Sequence, residues 1–350
     1  MANDDNFLRN KITTISGIMC ILVVFLHSEN IVDKYGSSIN RGIVLFEFFI
    51  SRSLGDLAVP TFFFMSAILF FQNYDLSKMG TKYKSRISSV VIPYLLWNFL
   101  YMIFLYILVN NPLSNALIET KEITINAKVV IDSVLFYQYN NVYWYMYQLI
   151  LFILISPVVY IVMKNPYGIL IVPMLIIINY WFYNIPEITY GIKIKYLIYW
   201  LLGAYFVIHI REQIYRRSSR RKLYLALPLS LALIIVRFYL EFVNQELEVS
   251  EYVLSLLILA NVIAVWFALD VLKFNSVYRW MQMSFFIYSI HPLIVWTIKD
   301  IISVLLPPNG IIVLANYMIA GMGGVVISIC IAKILKRFTP KIYCVLTGGR

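Results

Sequence analysis

Two of the three histidines in the sequence lie in long apolar runs, where an ionisable side chain is costly and therefore indicates a function or a specific partner. His27 ends the first run and shares one helical face with Ser16, Cys20 and Val23, because the spacing is i, i+4, i+7, i+11. An imidazole in that place can act as general base toward a hydroxyl if the site admits water or substrate. The alternative is an interfacial histidine that faces lipid headgroups.

The second of these histidines, His291, lies in a stretch that also carries Ser284, Tyr288 and Pro292. Pro292 removes one helical N–H and so frees the carbonyl of Tyr288. A kink surrounded by hydroxyl and imidazole groups favours a cavity. His291 can serve catalysis there, or it can satisfy the freed backbone, and the sequence leaves both roles open.

Charged residues also occur inside predicted membrane spans. Arg52 and Asp56 in the second apolar run are spaced i, i+4, so we expect them to form a mainly structural ion pair. Arg237 and Glu241 repeat this spacing, and we expect the same of them. Glu47 has no evident local partner, which makes it the stronger candidate for a functional carboxylate.

A basic patch, Lys82, Lys84 and Arg86, precedes Pro93 at the entry to the third apolar run. Such a patch can fix the orientation of a span. It is also where the phosphates of a cytosolic nucleotide would meet cationic side chains.

The elements that position these residues are predicted to be membrane helices. The chain is 61% hydrophobic and only 13% charged, with a mean hydropathy of +0.77. At roughly 20 residues for each crossing, this composition predicts an all-α, polytopic integral membrane protein with about ten transmembrane helices and one membrane-embedded domain over residues 1–350. The runs lie near residues 12–27, 43–71, 87–109, 133–163, 167–183, 194–210, 223–243, 252–272, 281–306 and 310–335. The fourth is the least regular, and its leading part, Val134 to Tyr143, is expected to be re-entrant or interfacial.

The basic residues predict an orientation. With ten spans, about two thirds of the 29 Lys and Arg residues fall on one side, while Glu241, Glu246, Glu248 and Glu251 cluster on the other. The predicted topology places both termini in the cytoplasm and keeps the first run as a helix rather than a cleaved signal peptide. The net charge of +11 then suits span orientation and contact with the lipid bilayer better than nucleic-acid binding. The three cysteines have no metal-binding or disulfide-framework spacing, so no metal is expected.

Several segments taken in order resemble the acyltransferase-3 family of bacterial membrane O-acyltransferases, and the resemblance covers almost the whole chain. The segments are Val23-Val24-Phe25-Leu26-His27; Val59 to Ser66; Arg86 with Pro93, Tyr94 and Trp97; Trp144-Tyr145; Leu202-Gly203; and Ser284 to Pro292.

The resemblance implies transfer of an acetyl group from cytosolic acetyl-CoA to a hydroxyl of a cell-envelope or exopolysaccharide sugar, or of its lipid-linked precursor, at the bacterial inner membrane. His27 would be the general base, and Lys82, Lys84 and Arg86 would bind acetyl-CoA. The further catalytic or cavity-lining candidates are Ser16, Glu47, Arg52, Ser66, Trp144, Tyr145, Tyr288 and His291.

The sequence departs from the family pattern at two positions. Ser16 stands where the family usually has a basic residue, and Ala67 replaces a glycine. Either a nearby base such as Lys11 or Arg52 takes over the lost cation's role, or this branch has lost the usual activity. Two other functions stay open: a glycan or lipid transporter or flippase without acyl transfer, which the lack of an evident internal repeat disfavours, and an acyltransferase-like protein that acts as a non-catalytic partner.

Overall fold

The computed structural model describes residues 2–30, 40–111, 124–181, 190–243, 251–272, 274, 276–307 and 309–349. The described residues form helices and no strand, which confirms the predicted all-α, polytopic membrane architecture. In chain order the helices are α1 (Ala2–Ser28), α2 (Arg41–Phe71), α3 (Leu76–Val109), α4 (Ala127–Phe136), α5 (Asn141–Leu154), α6 (Ser156–Lys164), α7 (Pro166–Trp181), α8 (Ile194–His209), α9 (Arg211–Tyr215), α10 (Arg220–Phe242), α11 (Tyr252–Leu272), α12 (Arg279–Leu305), α13 (Gly310–Phe338) and α14 (Pro340–Thr347).

Seven of the described helices, α1, α2, α3, α10, α11, α12 and α13, are long and apolar enough to cross a bilayer. Helices α5 and α6 pass the same test together but bend by 62° between them, which gives eight if the pair is one span. Helices α7 and α8 are apolar but shorter, and the 16 residues of α8 reach about 24 Å. The ten predicted runs thus correspond to helical structure, while the number of ten crossings stays a prediction. Residues 182–183 of the fifth run, and Glu246 and Glu248 of the acidic loop, lie outside the described residues.

The fourth predicted run is broken twice. Helix α4 ends at Phe136, where Tyr137 takes a left-handed conformation with a φ of 47°. The second break follows α5, where Pro157 in the first turn of α6 has no N–H to continue the hydrogen-bonded ladder. The irregular leading part was expected from the sequence, whereas the second break was not.

Helix α2 is irregular at its centre, because residues 49–57 form a π-helical turn and then a 3-10 turn. These turns change the angular spacing of the side chains. The predicted pair of Arg52 with Asp56 was therefore wrong. Arg52 instead binds Glu29 at 2.7 Å, and Asp56 binds Arg237 at 2.6 Å.

Two further ion pairs join cations to carboxylates inside the bundle. Arg237 binds Glu241 at 2.9 Å, as its spacing predicts. Lys11 binds Asp270 at 2.7 Å with both side chains fully buried, and its Nζ lies 4.1 Å from the centroid of the Trp266 ring. Lys11 therefore joins α1 to the end of α11.

Small residues let the helices around the site approach closely. A Cβ on Gly203 of α8 would lie 2.3 Å from the carbonyl oxygen of Phe64 and 2.8 Å from Cβ of Ala67 in α2. A Cβ on Gly324 of α13 would lie 2.9 Å from Val24 in α1. Small side chains at helix interfaces are typical of membrane bundles, where the gain comes from close van der Waals packing.

The outer surface of the bundle is apolar. Only 17% of the most apolar 18-residue stretch of α10 is buried, so most of its hydrophobic side chains point outward. Leu225 and Ile235 of α10 and Ile311 of α13 are exposed by 66%, 59% and 81%. An apolar surface of this extent is stable in a lipid bilayer and not in water.

Candidate active site

The two histidines that the sequence singled out lie against each other. The ring centroids of His27, at the end of α1, and His291, in α12, are 5.2 Å apart and the ring planes are inclined by 45°. The face of α1 that the spacing predicts also contacts α12, because Cys20 Sγ donates a hydrogen bond to the carbonyl of Ser284. The spacing in α1 therefore does direct this face toward α12.

His291 has one nitrogen that serves the backbone and one that does not. Its Nδ1 lies 2.8 Å from the carbonyl oxygen of Tyr288 and 3.2 Å from that of Ile287. A carbonyl only accepts hydrogen bonds, so Nδ1 carries the proton and satisfies the carbonyl that Pro292 frees. The side chain is fully buried, and its Nε2 has no hydrogen-bond partner in the described part of the chain. The ring of His291 thus satisfies the backbone at the kink, and its second nitrogen carries a lone pair while the ring itself lies beside that of His27.

Charged residues surround the His27 side of the pair. Arg52 donates to both carboxylate oxygens of Glu29, at 2.7 and 3.4 Å, and Lys299 Nζ donates to the carbonyl of Glu29. Both cations are thereby held at Glu29, two residues after His27 in the chain. Burial raises the pKa of the Glu29 carboxyl, although the neighbouring guanidinium opposes this shift.

Glu47, for which the sequence offers no local partner, is held from a distant segment. The backbone N–H of Asn30 donates to Glu47 at 3.1 Å and its side-chain amide at 3.0 Å. The same amide also donates to the carbonyl of Val313 in α13. Glu47 therefore fixes the residues that follow His27 against α2 and α13. Its partner Asn30 had no signal in the sequence, because the two residues are far apart in the chain.

A cavity of about 750 Å³ is lined by parts of α1, α2 and α12 that lie further along these helices, away from this charged cluster. Five of the predicted site residues line it, from five separate parts of the chain. They are Ser16, Ser66, Arg86, Tyr145 and Tyr288. The Ser66 and Tyr145 hydroxyls are hydrogen-bonded to each other at 3.1 Å.

Tyr288 connects the cavity to the histidines. Its ring lines the cavity, and its centroid lies 6.2 Å from that of His291. The ring is stacked on Tyr143 at 5.7 Å, and its hydroxyl donates to the carbonyl of Val142. His27 and His291 are not lining residues, so one aromatic layer separates the described cavity from the histidine pair.

The other predicted residues lie outside the cavity. Lys82 donates to the carbonyls of Phe70 and Gln72 at the end of α2, both at 3.0 Å, and Lys84 is exposed. Trp144 packs on Tyr196, with centroids 4.7 Å apart.

Sequence reasoning missed a second cation of the cavity, Arg9. Arg9 and Ser16 are spaced i, i+7, and this spacing is the signal that would have placed them on one face of α1. Of the three predicted donor-binding cations, only Arg86 lines the cavity.

This arrangement combines an aromatic-lined cavity, two arginines on its wall and a pair of histidines behind the Tyr288 ring. It can hold an anionic molecule and provide a proton acceptor near that molecule. The sequence matches the acyltransferase-3 family model, described as an acyltransferase domain, over residues 11–333. Comparison with curated proteins and with solved structures gave no match. Because the family match spans nearly the whole chain and the fold is that of a polytopic membrane protein, the chain belongs to the acyltransferase-3 family and is a membrane acyltransferase.

Proposed function

We propose that this acyltransferase moves an acetyl group from acetyl-CoA to a hydroxyl of a cell-envelope or exopolysaccharide sugar, or of its lipid-linked precursor, with His27 as the general base. The observation that carries the proposal is the contact between His27 and the buried His291, one aromatic layer from a cavity that has arginines on its wall. A polyanionic donor suits such a cavity.

The reaction requires a base and an oxyanion stabiliser. His27 takes the proton of the acceptor hydroxyl as its oxygen attacks the thioester carbonyl, and a C–O bond forms. The tetrahedral intermediate then collapses, the C–S bond breaks, and the thiolate of coenzyme A leaves and is protonated by the imidazolium. The Ser66 and Tyr145 hydroxyls line the cavity and share one hydrogen bond, so whichever of them accepts in that bond is the candidate donor to the oxyanion.

His291 and Arg52 have supporting roles in this proposal. The Nε2 lone pair of His291 can accept a hydrogen bond from the His27 ring, which would fix the tautomer that leaves a basic nitrogen for the acceptor. Arg52, held by Glu29, supplies positive charge on the acceptor side.

The orientation of the reaction follows from the distribution of basic residues. The proposed site is the bacterial inner membrane, with both termini and the arginine end of the cavity in the cytoplasm, where acetyl-CoA is found. His27 then lies toward the envelope side, where a glycan presents its hydroxyl.

The test replaces His27 with Ala in purified protein in lipid nanodiscs and measures transfer of radiolabelled acetyl groups from acetyl-CoA to glycan. We expect the rate to fall by at least about a hundredfold, which is typical for the loss of a general base. His209→Gln is the matched control, because His209 binds the carbonyl of Met163 and is remote from the cavity. It should keep the activity.

Unchanged transfer by a well-folded His27→Ala protein would refute the role of His27. Movement of a glycan across the membrane by the wild-type protein, without acetyl transfer, would refute the acyl-transfer proposal and favour the transporter alternative. An absence of both acetyl-CoA binding and transfer would favour the non-catalytic alternative.

A further inference from the structure

We propose that Arg9 and Arg86 together form an anion site at one end of the cavity, and that this site binds the phosphate groups of the acyl donor. This inference rests on the proposed function, because it identifies how the donor of that reaction is held.

The two arginines lie at the same end of the bundle, although they belong to different helices. Helices α1 and α2 are antiparallel and are joined at the Arg52–Glu29 ion pair. From this pair, Arg9 is 20 residues back along α1 and Phe70 is 18 residues forward along α2, or about 30 and 27 Å. Arg86 lies at that level too, since its guanidinium carbon is 5.7 Å from the centroid of the Phe70 ring. We call this level the basic end of the cavity.

The deep end of the cavity has a different chemistry. Ser16 lies two turns further along α1 than Arg9, about 10 Å deeper. Ser66 and Tyr145 share a hydrogen bond, and Tyr288 closes the cavity toward the histidine pair. A long donor with phosphates at one end and a thioester at the other matches this order of groups.

The cavity has positive charge without a counter-charge. None of the described residues that line it is Asp or Glu. Neither Arg9 nor Arg86 forms an ion pair with a carboxylate of the described chain, whereas Arg52, Arg237 and Lys11 do so at 2.7, 2.6 and 2.7 Å. Arg86 is partly buried and Arg9 is exposed, so an anion that enters the cavity can reach both guanidiniums. Because neither guanidinium is already held by a carboxylate, each can form charge-assisted hydrogen bonds to that anion.

The neutral groups beside the arginines favour a phosphate as the anion. Asn10 and Gln282 carry amides and line the cavity, and the Asn10 amide uses only one of its two N–H groups for the carbonyl of Phe274. Guanidinium groups bind phosphate oxygens in bidentate geometry, and amide donors can serve the oxygens that remain. Phosphate groups occur both in a coenzyme A donor and in an anionic lipid headgroup, so the experiment has to separate these two sources.

The experiment measures coenzyme A binding by isothermal titration calorimetry to protein in phosphatidylcholine nanodiscs. Arg9→Gln and Arg86→Gln should each raise the Kd about tenfold, which corresponds to about 1.4 kcal/mol, and the wild-type affinity should fall as salt is added. Arg220→Gln is the matched control, because Arg220 is an exposed arginine at the start of α10 and lies outside the cavity. Its Kd should equal that of the wild type. Thermal unfolding of each variant in the same nanodiscs verifies that it is folded.

A folded Arg9→Gln protein with the wild-type Kd for coenzyme A would overturn the proposal. The second arm repeats the titration with phosphatidylglycerol in the nanodisc. Phosphatidylglycerol in the nanodisc can compete with coenzyme A for the two arginines. If the arginine variants alter this competition but leave the Kd for coenzyme A in phosphatidylcholine unchanged, the site binds a lipid headgroup and the proposal is also overturned.

Failure of the anion site and failure of the proposed function give different results. Titration of the His27→Ala protein should give the wild-type Kd for coenzyme A. If this protein and the wild type bind coenzyme A through Arg9 and Arg86 but the wild type transfers no acetyl group, the anion site stands and the proposed reaction is wrong. If acetyl transfer is normal and the arginine variants bind as the wild type does, the reaction stands and the anion site is wrong.

Discussion

The buried Lys11–Asp270 pair gives the sharpest stability prediction. Both side chains are fully buried at 2.7 Å, and the other Asp270 oxygen accepts the backbone N–H of Ser218 at 2.9 Å. Asp270→Asn keeps the shape and an acceptor for Ser218 but leaves the Lys11 charge unpaired. Removal of one partner of a buried pair typically destabilises a protein by about 3–5 kcal/mol. The ring of Trp266, 4.1 Å from Nζ, still attracts the cation, so we expect about 3 kcal/mol.

The assay is unfolding in mixed micelles, followed by circular dichroism, for the wild type, Asp270→Asn, Lys11→Met and the double variant. The double variant has no unpaired charge, so its loss should be smaller than the sum of the single losses by about 2–3 kcal/mol. A loss below about 1 kcal/mol for Asp270→Asn, or additive single losses, would refute the reasoning. The double variant should also keep the wild-type Kd for coenzyme A. A weakened Kd would instead support the alternative that Lys11 replaces the missing cation at Ser16.

Two more predictions concern packing and pH. Gly203→Leu should destabilise the protein by about 3 kcal/mol or more, because even a Cβ would lie 2.3 Å from the backbone of Phe64. Gly80→Ala is the control, since its Cβ would meet nothing within 4 Å, and it should be neutral or slightly stabilising. Unfolding in micelles measures both. Folding raises the pKa of Glu29, so its carboxyl binds a proton more tightly in the folded protein. The contribution of Glu29 to the free energy of unfolding should therefore decrease as pH rises through the range just above the ordinary carboxyl pKa. Glu29→Gln should remove that part of the pH dependence of unfolding, and an unchanged pH profile would contradict it.

The positions of the helices could be predicted from the sequence because a span needs only length and apolar composition, both of which are local properties. The face of α1 that carries Ser16, Cys20 and His27 was predictable for the same reason, since a regular helix fixes the angle between residues. Residues Arg52 and Asp56 were predicted by the same rule and the prediction failed, because the π-helical turn at the centre of α2 breaks that regularity. Nothing in the local sequence identifies such a turn.

The partners of buried charges could not be predicted, because they come from distant parts of the chain. Glu47 meets Asn30, and Lys11 meets Asp270, through helix packing alone. The basic patch shows the same limit. Lys82 and Arg86 are four residues apart in one helical segment, yet Lys82 binds the carbonyls at the end of α2 and only Arg86 lines the cavity.

Cations that have a carboxylate partner and cations that have none in the described chain lie in different parts of the protein. On the His27 side, Arg52 is paired with the carboxylate of Glu29 before any substrate binds. At the basic end of the cavity, Arg9 and Arg86 have no such partner in the described chain. A ligand that brings negative charge therefore stabilises the basic end far more than the His27 side. In the proposed reaction the acceptor hydroxyl is neutral, so it would need a base rather than a counter-ion. The paired Arg52 on the His27 side suits such a neutral acceptor, whereas Arg9 and Arg86, without a carboxylate partner in the described chain, suit an anionic donor.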